Sequence, residues 1–95
     1  MKYILLLQGG IIMARITQFE KYKKMALRTA FDFGYPTKFV EGIIKSKSEA
    51  QINQWMIAGR HSEQYESEER VRKRLAQKNI VVPSLRGAVG LSELD

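Results

Sequence analysis

The 95-residue chain contains no cysteine, one histidine, two prolines and one tryptophan. The absence of cysteine excludes disulfides and thiolate metal sites, and one histidine is too few for a zinc site built from several imidazoles. Most nucleophile–base pairs likewise have no second member, and neither G-x-x-x-x-G-K-[ST] nor G-x-G-x-x-G occurs in the chain. We therefore predict a protein that is not an enzyme and that uses no metal and no cofactor.

The chain also lacks a long hydrophobic run. The longest apolar stretch near the start, Tyr3 to Leu7, ends at Gln8 and is too short for a signal peptide or a membrane span. Hydrophobic residues make up 44% and charged residues 27%, which are ordinary values for a globular domain. We expect one cytoplasmic domain with no membrane partner.

The first sixteen residues allow two interpretations. Apolar runs on both sides of Gly9-Gly10 are typical of a β-hairpin, because both turn residues accept positive φ. Alternatively, Met13 is the biological start and the preceding residues are an upstream extension. Residues 1–16 are therefore predicted to be a hairpin or an N-terminal extension.

Residues 17–60 carry the signals of a helical core. Thr17-Gln18-Phe19-Glu20 forms a capping box at the start of an amphipathic helix, which Gly34 ends. A second helix is predicted from Thr37 or Lys38 to about Lys45. A third begins after Ser48, which has Gln51 three residues on, and ends near Gly59.

Residues 62–79 predict a charged helix with a narrow apolar stripe. Three i, i+4 pairs in the favourable order are Glu66–Arg70, Glu68–Arg72 and Glu69–Lys73. In residues 80–95, Ile80 to Val82 suggests a short strand, followed by a tail after Pro83. The predicted fold class is mainly α: a small domain of three to four helices with a minor β element from the N-terminal hairpin and strand 80–82.

The second and third helices meet at Ser46-Lys47-Ser48, a corner of the length found in helix-turn-helix motifs. This corner lacks the usual glycine, which favours a plain helical hairpin that covers a core over a DNA-reading motif. If the pair reads DNA, the polar side chains of the third helix contact the bases, because amides pair bidentately with adenine. The candidate base readers are Gln51, Asn53 and Gln54.

The start of the chain superficially resembles a second kind of DNA-binding protein. Ala14 to Thr17, then a helix and Gly34, resembles the ribbon-helix-helix repressors. In that arrangement Met13, Arg15 and Thr17 would face the major groove. We do not assign the chain to that family, because Thr17 is already predicted to cap the first helix.

The basic residues are organised into two groups. A formal net charge of +6 favours a polyanionic or acidic partner. One group forms a stripe on the first helix and the other surrounds the corner of the helix pair. The residues predicted to contact nucleic-acid phosphates are Lys21, Lys24, Arg28, Lys38, Lys45 and Lys47.

Two functions follow from these patterns. The first is a non-enzymatic nucleic-acid-binding accessory or regulatory protein that uses the basic patch and the helix-turn-helix-like pair. The second is a protein-interaction module or small inhibitor, which forms a homodimer or docks on a larger protein through residues 62–95. For this second function the candidate partner-binding residues are Tyr65, Val71 and Leu75.

Overall fold

The computed structural model describes residues 17–91, and this part of the chain is mainly helical, as predicted. It contains four α-helices and no β-strand. In chain order the helices are α1 (Gln18–Asp32), α2 (Thr37–Lys45), α3 (Glu49–Arg60) and α4 (Glu68–Gln77). The predicted hairpin and the question of Met13 lie outside the described residues.

The capping box at the start of α1 is confirmed. The Glu20 amide donates to Thr17 Oγ1 at 3.0 Å, and the Thr17 amide donates to Glu20 Oε1 at 3.3 Å. Gly34 follows the helix with φ of +75°, the left-handed conformation that glycine adopts most readily. Since the cap occupies the Thr17 side chain, that residue is not available as a groove-facing residue of a ribbon-helix-helix strand. Met13 and Arg15 lie outside the described residues.

The corner between α2 and α3 is held by its serines. Ser46 is buried and donates from Oγ to the carbonyl of Gly42 at 2.8 Å. Ser48 caps α3 by accepting from the Gln51 amide at 3.2 Å. The Gln51 side chain accepts in turn from the Lys47 amide at 2.6 Å, so Gln51 links the corner to the first turn of α3.

The charged helix is shorter than predicted. Residues 62–67 are not helical, and α4 begins at Glu68 with Ser67 as its N-cap, accepting from the Arg70 amide at 3.2 Å. Val71 and Leu75 have no exposed surface. The helix therefore docks on the domain through the narrow apolar stripe, and its remaining faces carry charge.

The predicted strand at residues 80–82 is wrong. Asn79 turns the chain at φ of +61°, and the Ile80 amide donates back to the carbonyl of Leu75 at 3.0 Å. Ile80 and Val82 pack on the core while Val81 is exposed, which is the alternation of a strand. Within residues 17–91, however, no second strand lies beside it to form a ladder.

All four helices contribute to one hydrophobic cluster. The Leu91 amide donates to Thr29 Oγ1 at 2.6 Å, which brings the segment after α4 back to α1. No helix in residues 17–91 is long and apolar enough to cross a membrane. The buried cluster consists of Ala26, Leu27, Ala30, Phe31, Tyr35, Val40, Ile43, Ile52, Met56, Val71, Leu75 and Leu85.

Candidate nucleic-acid interface

A groove of about 470 Å³ runs between α2 and α3, on the side of the helix pair where α4 ends. Four residues predicted from the sequence line it: Lys38 and Lys45 from α2, and Gln51 and Gln54 from α3. The rest of the lining consists of Glu41, Gly42, Ser46, Trp55 and Lys78, the last of which follows α4. We call this site the lysine groove.

Gly42 allows α2 and α3 to approach closely at the base of the lysine groove. A Cβ atom at this position would lie 2.2 Å from Trp55 Cε2 and 2.3 Å from Cδ2, well inside van der Waals contact. The Trp55 indole therefore rests directly on the α2 backbone, and it forms a T-shaped pair with the Phe39 ring at a centroid distance of 6.2 Å. The two aromatic side chains lie at the base of the helix pair beside the polar residues of the groove.

Glu41 is the acidic residue of the groove, and two lysines share it. Lys45 Nζ and Lys78 Nζ each lie 2.9 Å from its carboxylate. Hydrogen bonds from Lys78 and Lys45 hold the pKa of Glu41 below its ordinary value, against the opposing effect of burial. The carboxylate stays ionised and fixes both lysines, yet it neutralises only one of their two charges.

The predicted phosphate-binding residues do not all line the lysine groove. Arg28 is engaged on α1, with Nη2 lying 2.7 Å from Glu68 and 3.0 Å from Asp32. Lys21 and Lys24 lie on α1 and do not line the lysine groove. Lys47 is exposed at the corner and follows the groove residue Ser46 in the sequence, but it does not line the groove itself. Of the six, Lys38 and Lys45 are the two that meet in the groove.

The three candidate base readers differ in how free their side chains are. Gln51 accepts from the Lys47 amide, and Asn53 Oδ1 accepts a hydrogen bond from the Tyr22 hydroxyl. Gln54 is exposed, lines the groove and makes no side-chain hydrogen bond to another of residues 17–91. Because bidentate pairing with adenine needs both the oxygen and the nitrogen of an amide, Gln54 is the best placed of the three.

Lys23 is a basic residue whose role was missed by sequence reasoning. Its Nζ donates to the carbonyls of Ile44 and Ser46, both at 2.8 Å, at the carboxyl end of α2. Burial lowers the pKa of Lys23, against the opposing effect of Glu20. Its position four residues after Phe19, on the apolar side of α1, was the available signal, because a lysine on that side needs acceptors inside the fold.

Glu66 has more contacts than the i, i+4 pair with Arg70 that its spacing predicts. Its Oε1 accepts from the Thr37 amide at 2.7 Å and from the Thr37 hydroxyl at 2.8 Å, so it caps α2 from outside that helix. Its Oε2 lies 3.0 Å from Arg74 Nε and 3.7 Å from Arg70 Nε. Burial raises the pKa of Glu66, but the two hydrogen bonds and the two arginines outweigh it, and the pKa lies below its ordinary value.

The candidate partner-binding residues separate into buried and exposed ones. Val71 and Leu75 belong to the core of the chain itself, so they have no surface to offer a partner. Tyr65 is 80% exposed. It shares a groove of about 280 Å³ with Phe33, which is 52% exposed, and with Tyr35 and Gly59.

Both α3 and α4 carry acidic residues only in their first turn: Glu49 in α3, and Glu68 and Glu69 in α4. Comparison of the chain with protein families, curated proteins and solved structures finds no match.

Proposed function

We propose that this chain is a non-enzymatic nucleic-acid-binding accessory or regulatory protein of the cytoplasm, acting through α2, the corner and α3. The observation that carries the proposal is the lysine groove, in which three lysines and two glutamine amides line one concavity. Lysines supply phosphate contacts of any sequence, and amides supply contacts to base edges.

Each residue has a defined part in this proposal. Lys38, Lys45 and Lys78 contact backbone phosphates, with Lys47 adding a contact at the corner. Gln54 is the principal base reader because its amide is not otherwise engaged among residues 17–91. Arg28 is left out, since Glu68 and Asp32 already occupy its guanidinium.

The test is a fluorescence anisotropy titration of a labelled random duplex across a series of salt concentrations. Binding through the lysine groove should weaken steeply with salt, by about 0.9 in the log–log slope for each neutralised phosphate. Lys38→Gln with Lys45→Gln should therefore reduce the slope by about 1.8. The tryptophan in the groove, the only one in the chain, should change its fluorescence on binding.

A matched control is available on α1. Lys21→Gln with Lys24→Gln removes the same charge from residues outside the groove, and we expect it to alter binding much less. If the α1 variant abolished binding and the groove variant did not, the assignment of the site would be wrong. Absence of binding at low salt by the unmodified protein would contradict the nucleic-acid proposal as a whole.

The second candidate function is a protein-interaction module or small inhibitor. It is favoured by the exposed Tyr65 and Phe33 side chains, which come from distant parts of the sequence and border one groove. Exposed aromatic pairs of this kind are typical of protein interfaces. Self-association of the chain in solution tests this candidate.

A further inference from the structure

The lysine groove continues into two further grooves that cross the surface of α4. The second groove, about 540 Å³, shares Lys38 with the first and adds Arg70 and Arg74. The third, about 500 Å³, shares those two arginines and adds Lys73. Shared lining residues make the three grooves one surface, which we call the basic band: Lys38, Lys45, Arg70, Lys73, Arg74 and Lys78.

Two of the three acidic side chains in the band, Glu41 and Glu66, lie beneath the basic ones. The Glu41 side chain is 21% exposed, whereas those of its partners Lys45 and Lys78 are 62% and 56% exposed. The Glu66 side chain is 11% exposed, against 66% for Arg70 and 51% for Arg74. Each of these two carboxylates is shared by two cations, so it holds them in position without cancelling both charges.

The band therefore presents an outer layer that is mainly positive, with Glu69 as its exposed acidic residue. Its six basic residues stand against three acidic ones, Glu41, Glu66 and Glu69, which gives a net charge of +3, half of the formal +6 of the chain. The sequence predicted an ion pair between Lys73 and Glu69, but Lys73 forms no ion pair with any of residues 17–91.

The arrangement of the cations fits a chain of phosphates better than a single one. Arg70, Lys73 and Arg74 are three and four residues apart on α4, and Lys78 follows four residues later, so they form a row along the helix. At about 1.5 Å per residue, Arg70 and Lys78 are separated by about 12 Å along the axis. One strand of duplex DNA carries a phosphate about every 3.4 Å of axis, so the row spans three or four phosphates.

We infer that Arg70, Lys73 and Arg74 extend the lysine groove into a single phosphate-binding band that holds a run of backbone phosphates along one nucleic-acid strand. This inference rests on the proposed function and adds α4, a helix that the sequence had assigned to a protein partner. Arginine contributes geometry as well as charge, because its planar fork matches phosphate oxygens.

The experiment compares two double variants by anisotropy with the same labelled random duplex and salt series. Arg70→Gln with Lys73→Gln removes two cations of the band and keeps Arg74, which is the closer of the two arginine partners of Glu66. We expect the salt slope to fall by about 1.8 and the affinity at 0.1 M salt to fall by about tenfold or more.

The control is Arg60→Gln with Arg86→Gln, an equal loss of charge at two exposed residues that line none of the three grooves. Its slope should remain within the error of the unmodified protein. Equal effects of the two double variants would overturn the inference, because they would show a general charge effect. Circular dichroism melting of each variant establishes that the fold is retained.

The two proposals fail in different ways. If the unmodified protein binds and the Lys38/Lys45 variant loses slope, but the Arg70/Lys73 variant does not, the band is wrong and the lysine groove stands. If the unmodified protein shows no salt-dependent binding to the duplex, the proposed function fails and the band fails with it.

Discussion

At the scale of single residues, Glu66 shows how a side chain can leave the role that its spacing predicts. Its i, i+4 relation to Arg70 suggested a solvated pair, but the closer contacts are with Thr37 and Arg74. The carboxylate satisfies the free amide at the start of α2, where Pro36 provides no side-chain cap. Glu66, two residues before the start of α4, thereby ties this part of the chain to the start of α2.

The role of Glu66 predicts acid sensitivity. A carboxylate whose pKa is lowered by folding contributes stability above its unfolded pKa, about 4.3, and this contribution is lost as pH falls through the folded value. The urea midpoint of the protein should therefore fall below about pH 4. Glu66→Gln should cost about 1–3 kcal/mol at neutral pH and should flatten this dependence.

Glu63→Gln is the control for this prediction, because Glu63 is exposed and forms no ion pair within residues 17–91. Glu41 and Glu68 also have pKa values below their ordinary ones, so part of the acid dependence should remain in Glu66→Gln. An acid limb that is identical in Glu66→Gln and the unmodified protein would refute the assigned role.

At the scale of elements, the crossing of α2 and α3 depends on Gly42. In a solvated helix, replacing glycine by alanine gains about 1 kcal/mol of helix propensity. Here the added Cβ would meet the Trp55 indole at 2.2 to 2.7 Å, and overpacking costs about 1–3 kcal/mol. We expect Gly42→Ala to lower the free energy of unfolding, measured by urea denaturation followed by circular dichroism.

Repeating this substitution in a Trp55→Leu background isolates the contact. There the indole atoms are gone, so Gly42→Ala should be neutral or stabilising relative to Trp55→Leu alone. Stabilisation by Gly42→Ala in the unmodified protein would mean that the helices are farther apart than the structure indicates.

Local sequence signals were sufficient for the first three helices and insufficient for the fourth. Thr17, Gly34 and Ser48 are cap residues whose effect depends on their immediate neighbours, so the bounds of α1, α2 and α3 were predictable. The range 62–79 predicted for the charged helix includes residues 62–67, which are not helical because α4 begins only after its N-cap Ser67. Strand 80–82 failed because a strand requires a partner that its own sequence does not specify.

At the scale of the whole molecule, the candidate site was only half predictable. Lys38, Lys45, Gln51 and Gln54 come from consecutive helices, and the corner brings them together. Lys78 reaches the same groove only because α4 packs against α2, a contact between distant parts of the sequence. The same packing buries Val71 and Leu75, whose narrow stripe in the sequence was compatible either with docking on the domain or with binding a partner.

The net charge of the whole chain provides a test that separates the two candidate functions. Two copies with a formal charge of +6 repel each other, so a dimer joined through Tyr65 and Phe33 should strengthen as salt screens that repulsion. Nucleic-acid binding should weaken with salt instead. Sedimentation velocity at low and high salt measures the first effect directly.

Two variants localise the contact in the same sedimentation experiment. Tyr65→Ser should abolish the dimer because it removes the most exposed aromatic side chain of the groove, whereas Val81→Ser, at a residue that is 83% exposed and does not line that groove, should leave it intact. A monomer at every salt concentration, or equal effects of the two substitutions, would rule out this dimer. The role proposed for the basic band is independent of this result, because phosphate binding by the band does not require a second copy.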